Sequence, residues 1–213
     1  MNTKEKIMRI ACRNFALNGY EKTTIRGISC DAKVNIAAVN YHYHNKETLY
    51  KEVFNYIMKK DRIHIINLDN SQKISSRLND WREGLTKWLE EILLDISSKE
   101  PFHQYKTMII SRELMNPSPV FKDIFKTHLK PVLDNLIFQI KKNFPKNLKK
   151  DELYIEIFSV ISEAVFYMNA RALIRACFPK SDFTSKNIKN IVKHTVLKNI
   201  LWIKEKNKKE RQK

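Results

Sequence analysis

Apolar residues recur every three or four positions along most of the chain, which is the spacing of amphipathic α-helices. The first such segment, residues 3–17, ends at Asn18-Gly19, where a glycine suits the position just after a helix. Its apolar face consists of Ile7, Ile10, Ala11 and Phe15. The same period continues through residues 46–64, 75–97, 101–115, 119–140, 151–177 and 188–203. Because only 3 Gly and 6 Pro interrupt 213 residues, we predict an all-α fold with about nine helices.

Residues 23–46 depart from these long segments because N-cap residues follow one another closely. Thr23 and Asn35 each precede a short apolar-patterned stretch, and Asn45 precedes the segment 46–64. Glu47 falls in the first turn of that segment, where a carboxylate suits the helix dipole. We predict helices at 24–31 and 36–43, joined by a tight turn at residues 32–34. Two short helices at a sharp angle form a helix-turn-helix, whose second helix enters the DNA major groove.

The second of these helices divides into an inward and an outward face. Val39 and Tyr43 are four residues apart and are predicted to point inward. The outward face has few long charged residues, which suits close contact with base edges. Ile36, Ala37 and Ala38 are predicted to contact thymine methyl groups, and Asn40 is predicted to bind an adenine through two hydrogen bonds.

Other polar residues of the same stretch are predicted to bind phosphates. Tyr41, His42 and Lys46 are placed to fix the register on DNA without selecting a sequence. Thr24 and Arg26 begin the preceding helix, where an anion is favoured. The complete predicted DNA-binding set is Thr24, Arg26, Asn35, Ile36, Ala37, Ala38, Asn40, Tyr41, His42 and Lys46.

A resemblance to the TetR family of bacterial transcriptional repressors is carried by three segments: ACRNFALNGYEKTTIRGIS, AKVN and YHYHNKETLY. They lie in register within residues 7–50. Lys33 stands where that family commonly has glycine, and Asn40 where it usually has an aromatic residue. The resemblance implies a DNA-binding domain at residues 1–62 and a larger helical domain, 63–213, that binds an effector and dimerises. The polar stretch 67–71 marks the predicted boundary.

A second resemblance covers residues 105–133. It rests on MIISRELMNPSPVF and a later KPVL, and it is similar to the C-terminal domain of a TetR subgroup of the CerR or YbiH kind. Pro131 lies inside this stretch and is predicted to kink its helix.

The candidate effector-binding residues are Trp81, Trp88, Tyr105, Met108, Arg112, Phe166 and Asn169. The alternatives are that the aromatic residues form ordinary core and that Arg112 pairs with a charge inside the domain.

The two last long segments are predicted to form a dimer interface. Residues 151–177 are apolar nearly all round, and a helix of that kind needs partners on every side. We expect a four-helix bundle across a two-fold axis; the alternative is that both helices close the core of one protomer. The predicted interface residues are Ile157, Ile161, Val165, Met168, Ile188, Val192, Val196 and Ile200.

The net charge of +17 favours an anionic partner but does not locate it. Residues 1–60 hold eleven Lys and Arg against five Asp and Glu, whereas residues 184–213 hold ten against two. The charge is therefore not concentrated in the predicted DNA-binding domain. Charge-driven, sequence-independent binding to DNA remains the alternative function, and binding to a membrane surface is not expected.

Little in the sequence predicts catalysis, a metal or a cofactor. The three cysteines, Cys12, Cys30 and Cys177, lack the paired spacing of metal sites and suit a reducing cytoplasm. His42 and His44 are two residues apart on a helix and point to different sides. No signal peptide or long apolar run is seen.

Taken together, these features predict a cytoplasmic homodimeric repressor, not an enzyme, that a small-molecule effector releases from a palindromic DNA operator.

Overall fold

The computed structural model describes residues 2–60, 78–143, 149–177 and 185–211. These residues form helices and no strand, so the predicted all-α fold is confirmed. The chain divides into two compact units, of which the first combines Met1–Arg62 with Ser98–His128 and the second combines Ile63–Ser97 with Leu129–Lys213. The predicted two-domain division differs from this, since residues 98–128 group with the N-terminal helices. The predicted boundary at 67–71 lies outside the described residues.

The helices of the first unit are α1 (Thr3–Lys22), α2 (Ile25–Asp31), α3 (Ile36–Tyr43), α4 (Lys46–Lys60), α6 (Pro101–Met115) and α7 (Phe121–Ile124). Helix α1 has a break near its end, since Gly19 has φ +76°. Its apolar face packs on α4 and α6, around a core that includes Ile7, Phe15, Ile28, Val39 and Phe54.

The caps of the short helices follow the sequence with one shift. Asn35 accepts a hydrogen bond from the Ala37 N–H, and Asn45 accepts one from the Thr48 N–H, as predicted. Helix α2 begins one residue later than predicted, because its cap is Thr24, which accepts from the Gly27 N–H. The buried Thr23 hydroxyl instead bonds back to the Gly19 carbonyl at 2.7 Å, so it fixes the end of α1.

The helices of the second unit are α5 (Leu78–Ser97), α8 (Lys130–Asn143), α9 (Lys150–Asn169), α10 (Arg171–Cys177) and α11 (Ser185–Arg211). Two predicted long helices are divided in the structure. A π-helical turn, Phe125–Leu129, precedes Pro131, where a kink was expected, and Ala170 separates α9 from α10. Helices α5, α8, α9 and α11 enclose a core that contains Trp88. Within the described ranges, no helix meets the length and apolarity needed to span a bilayer.

Candidate DNA-binding interface

Helix α3 is held by two side chains and leaves the rest of its surface exposed. Val39 and Tyr43 are buried, as predicted. The Tyr43 hydroxyl donates a hydrogen bond to the Lys4 carbonyl at 3.0 Å and so attaches α3 to the start of α1. Burial, with smaller contributions from Glu52 and Cys12, raises the pKa of Tyr43 to about 12. Tyr43 is therefore a neutral anchor at physiological pH.

The opposite face of α3 presents most of the predicted DNA-contacting groups to solvent. Ile36, Ala37 and Asn40 are exposed, and Tyr41 is 80% exposed. Ala38 is half-buried. The exposed set offers apolar surface, one amide and one phenol, which are groups that contact base edges and phosphates in a major groove.

Two residues with positive φ flank this helix. Lys33, in the turn before α3, has φ +50°, and His44, just after it, has φ +62°. Residues other than glycine adopt this region at a cost. The turn before α3 therefore adopts a left-handed conformation that the side chain of Lys33 makes unfavourable. Helix α3 ends at Tyr43, because the positive φ of His44 is not helical.

The predicted phosphate ligands have different surroundings. Arg26 is exposed, whereas His42 is half-buried with its ring 5.2 Å from that of Tyr41. Thr24 and Asn35 are exposed but also serve as helix caps. The Lys46 ammonium lies 4.2 Å from the centre of the Tyr20 ring and donates to the Glu21 carbonyl at 3.2 Å. These contacts, which the sequence did not predict, hold Lys46 at the start of α4.

The candidate effector residues fall into both units. Tyr105 and Met108 pack against the core of the first unit, while Trp88 is buried in the core of the second. Phe166 is exposed, and the Asn169 amide donates to the Val165 carbonyl. Arg112 donates to main-chain carbonyls of α1, so its guanidinium is already bonded. The side chain of Trp81 lies outside the described residues.

A narrow crevice that has no room for a water molecule lies between α5, α9 and α11 of the second unit. Its polar lining comprises Glu163, Tyr167 and Thr195, and none of the described effector candidates lines it. Ligand pockets typically measure about 300–1,000 Å³. In this conformation the crevice is therefore smaller than a typical effector pocket.

Most of the predicted dimer residues are used inside the protomer. Ile157, Ile188, Val192, Val196 and Ile200 are buried in the core of the second unit, because α9, α11 and α5 pack on one another. Ile161 and Met168 are partly buried against the same core, and Val165 is half-buried. Five other apolar residues of the same two helices are exposed instead: Ile155, Phe158, Phe166, Leu197 and Leu201. We name these five residues the outer apolar face.

A polar seam between α9 and α11 was missed by the sequence analysis. Asn199 hydrogen-bonds the Glu156 carboxylate, Thr195 bonds Glu163, and the Lys198 ammonium lies 3.1 Å from Glu163. Burial is the main cause that raises the pKa of Glu156. A signal was present in the sequence, because Thr195 and Asn199 interrupt the regular apolar face of α11.

Comparison with known proteins agrees with this architecture. Residues 7–53 match the family model described as bacterial regulatory proteins, tetR family, and residues 82–200 match the C-terminal domain of the HTH-type transcriptional dual regulator CecR. The second match covers more than half of the chain.

Curated relatives include a probable HTH-type transcriptional regulator, YttP of Bacillus subtilis (strain 168), which is 25% identical over 144 residues, or 66% of this chain and 63% of that protein. The HTH-type transcriptional regulator QacR of Staphylococcus aureus (strain Mu50) is 26% identical over 117 residues, or 55% of this chain and 50% of QacR. The chain thus spans less than two thirds of the length of these relatives.

Solved structures share the fold. The structure of AibR in complex with isovaleryl coenzyme A and operator DNA has a TM-score of 0.62 at 20% identity, and it covers 89% of this chain and 95% of its own. The fatty acid degradation regulator FadR from Bacillus halodurans has a TM-score of 0.63 at 15% identity, with 90% and 97% covered. The two family models identify the chain as a member of the TetR family of bacterial transcriptional regulators, with a C-terminal domain of the CecR type.

Proposed function

We propose that the protein is a homodimeric repressor that recognises a roughly palindromic operator through α3. The observation that carries this proposal is the composition of the exposed face of α3, where Ile36, Ala37, Asn40 and Tyr41 stand free of the core. A surface meant only to attract phosphate would be rich in Lys and Arg. Two recognition helices in a dimer would meet successive major grooves about 34 Å apart.

The dimer forms, in this proposal, through the outer apolar face. On α9, Ile155 and Phe158 are 68% and 60% exposed and lie three residues apart, and on α11 Leu197 and Leu201 lie four apart. Each pair therefore shares one side of its helix. An exposed apolar surface on helices that are already packed on their other side is typical of a protein interface.

The oligomeric state tests this face. Phe158→Glu should shift the protein from dimer to monomer in light scattering, because a carboxylate would be buried without a partner. The control is Leu94→Glu, which changes an exposed leucine of α5. A Phe158→Glu protein that remains fully dimeric would contradict the proposed interface.

The effector is a small molecule bound by the predicted C-terminal domain, residues 63–213. QacR is a transcriptional regulator, and AibR has been solved in complex with isovaleryl coenzyme A and operator DNA; we infer by analogy that this chain also responds to a ligand. The ligand must bind the two states with different affinity, since equal binding leaves the equilibrium unchanged. Assignment to the CerR or YbiH subgroup is part of the proposal, supported by the match at residues 82–200.

The proposal also places the protein in the cytoplasm, where its DNA partner lies, and assigns it no catalytic activity. The relatives support this because QacR is a transcriptional regulator and YttP a probable one. Fluorescence anisotropy against the protein's own upstream DNA and a scrambled duplex, across a salt series, tests the function. Preference for the native fragment that persists at moderate salt is expected. Equal binding to both, lost with salt, would favour charge-driven association instead.

A further inference from the structure

Two adjacent residues of α6 hold two separate parts of the first unit. Arg112 donates from Nε to the Ala16 carbonyl and from Nη2 to the Leu17 carbonyl, both at 3.0 Å. Glu113 accepts a hydrogen bond from the Tyr50 hydroxyl at 2.8 Å. The partners are 96 and 63 positions away along the chain, in α1 and α4 respectively.

Arg112 acts where the chain leaves α1 for the helix-turn-helix. The last carbonyls of a helix lack partners within it, and a cation is favoured at that end. Helix α1 breaks at Gly19, and the Ala16 and Leu17 carbonyls in the turn before that break accept from the guanidinium of Arg112. Gly19 has φ +76°, and a β-carbon there would lie 3.4 Å from Nη1 of Arg112. Arg112 therefore holds α1 at its break, a few residues before the chain enters α2.

Glu113 acts where the chain leaves the helix-turn-helix. Its side chain is 2% exposed, and its second carboxylate oxygen accepts from the Ser118 N–H at 3.0 Å and the Ser118 hydroxyl at 2.7 Å. The Tyr50 ring packs against the rings of Phe15 and Tyr20, with ring centres 4.6 and 5.1 Å away respectively. Because α4 follows α3 after His44 and Asn45, an anchor at Tyr50 limits how far α3 can move relative to α6.

We propose that Arg112 and Glu113 are positioning residues for operator recognition, which hold the entrance and the exit of the helix-turn-helix on α6. The inference rests on the proposed function. Neither side chain contacts DNA in this account. The helix-turn-helix keeps its own caps at Thr24, Asn35 and Asn45, so it stays folded when the two anchors are removed. Its position on α6 then varies, and ordering it on DNA costs free energy.

The distinguishing consequence concerns the spacing of the two operator half-sites. A firmly held recognition helix accepts one spacing, since the two grooves must meet both helices at once. A loosely held one binds the matched operator less well but accommodates other spacings better. Simple loss of stability would weaken binding to every spacing in the same proportion.

The experiment uses the full chain and a duplex that the wild-type protein selects from a random library, together with versions that have one base pair inserted or removed at the centre. Arg112→Gln and Tyr50→Phe are compared with the wild type and with Met115→Ala, a control at an exposed position of α6. Thermal melting by circular dichroism checks the fold of each. Tyr50→Phe removes only the hydroxyl that donates to Glu113. It therefore tests the positioning role even if Arg112→Gln fails to fold.

We expect each anchor variant to bind the matched operator about two- to tenfold more weakly, the range expected for one hydrogen bond. The affinity for the matched operator relative to that for an altered-spacing duplex should fall by a similar factor. Met115→Ala should leave the affinity for the matched operator and this ratio unchanged. A proportional loss on all duplexes, or no loss, would overturn the positioning role and leave the proposed function intact. A wild-type protein that selects no sequence would overturn both.

Discussion

The two units of this protein expose different kinds of surface. In the first, the candidate DNA-contacting residues lie on the exposed side of α3. Local caps such as Asn35 and Asn45 fix where α3 and α4 begin. In the second, polar groups such as Glu156 are buried in a helical core, and an apolar surface around Phe158 is exposed. Local sequence is therefore enough to specify the proposed DNA-binding surface, whereas the structure of the second unit depends on which helices pack against one another.

The largest expected effect concerns the core of the second unit. Leu85 of α5 is fully buried, and Leu85→Ala should lower the free energy of unfolding by about 2–5 kcal/mol because it leaves a cavity. Urea denaturation measures the change. Leu94→Ala, at a half-exposed position of the same helix, should cost far less. Equal costs at both positions would mean that α5 does not pack as described.

A smaller effect is expected in the turn before the recognition helix. Lys33 has φ +50°, so Lys33→Gly should raise the free energy of unfolding by roughly 0.5–1 kcal/mol by relieving the left-handed strain. The control is Lys6→Gly in α1, which should lower stability by about 1 kcal/mol. Thermal melting separates the two, and a destabilised Lys33→Gly protein would argue against this turn geometry.

An effect of similar size, but dependent on pH, involves the buried carboxyl of the second unit. Burial raises the pKa of Glu156, so the native protein holds this proton to a higher pH than the unfolded chain does. The resulting stability is fully present below the unfolded pKa of about 4.5 and is lost as pH rises through the native value. Glu156→Gln should therefore gain stability, on the order of 1 kcal/mol, at neutral pH only.

Urea denaturation at pH 7 and near pH 4 measures this difference. Asn199 can still donate to the new amide oxygen, so the hydrogen bond of the wild type is kept. The matched control is Glu90→Gln, at a half-buried position of α5. A Glu156→Gln gain that is equal at both pH values would contradict burial of the charge as its cause.

The sequence predicted those features whose causes lie within a few residues. The caps at Asn35 and Asn45 and the inward face of Val39 and Tyr43 were correct. The start of α2 was placed one residue early because Thr23 and Thr24 are both good caps, and only the packing of Thr23 on the Gly19 carbonyl decides between them.

The remaining features depend on contacts between distant positions. The sequence predicts Arg112 as a candidate effector ligand, with a charge pair inside the domain as the alternative, but its partners are main-chain carbonyls 96 and 95 residues away in α1. The predicted dimer residues of α11 were apolar and regularly spaced, which suits a core and an interface equally. Only the packing of α5 and α9 on that side separates the two roles.

Base recognition by Asn40 is the most direct test of the proposed function. Anisotropy titrations would compare the wild type and Asn40→Ala on the selected operator and on a set with each base pair changed singly, with Asn190→Ala on α11 as a control. We expect Asn40→Ala to lose roughly 1–3 kcal/mol on the operator and to lose discrimination at one adenine position while the others keep theirs. An equal loss on every sequence would contradict recognition of bases by α3.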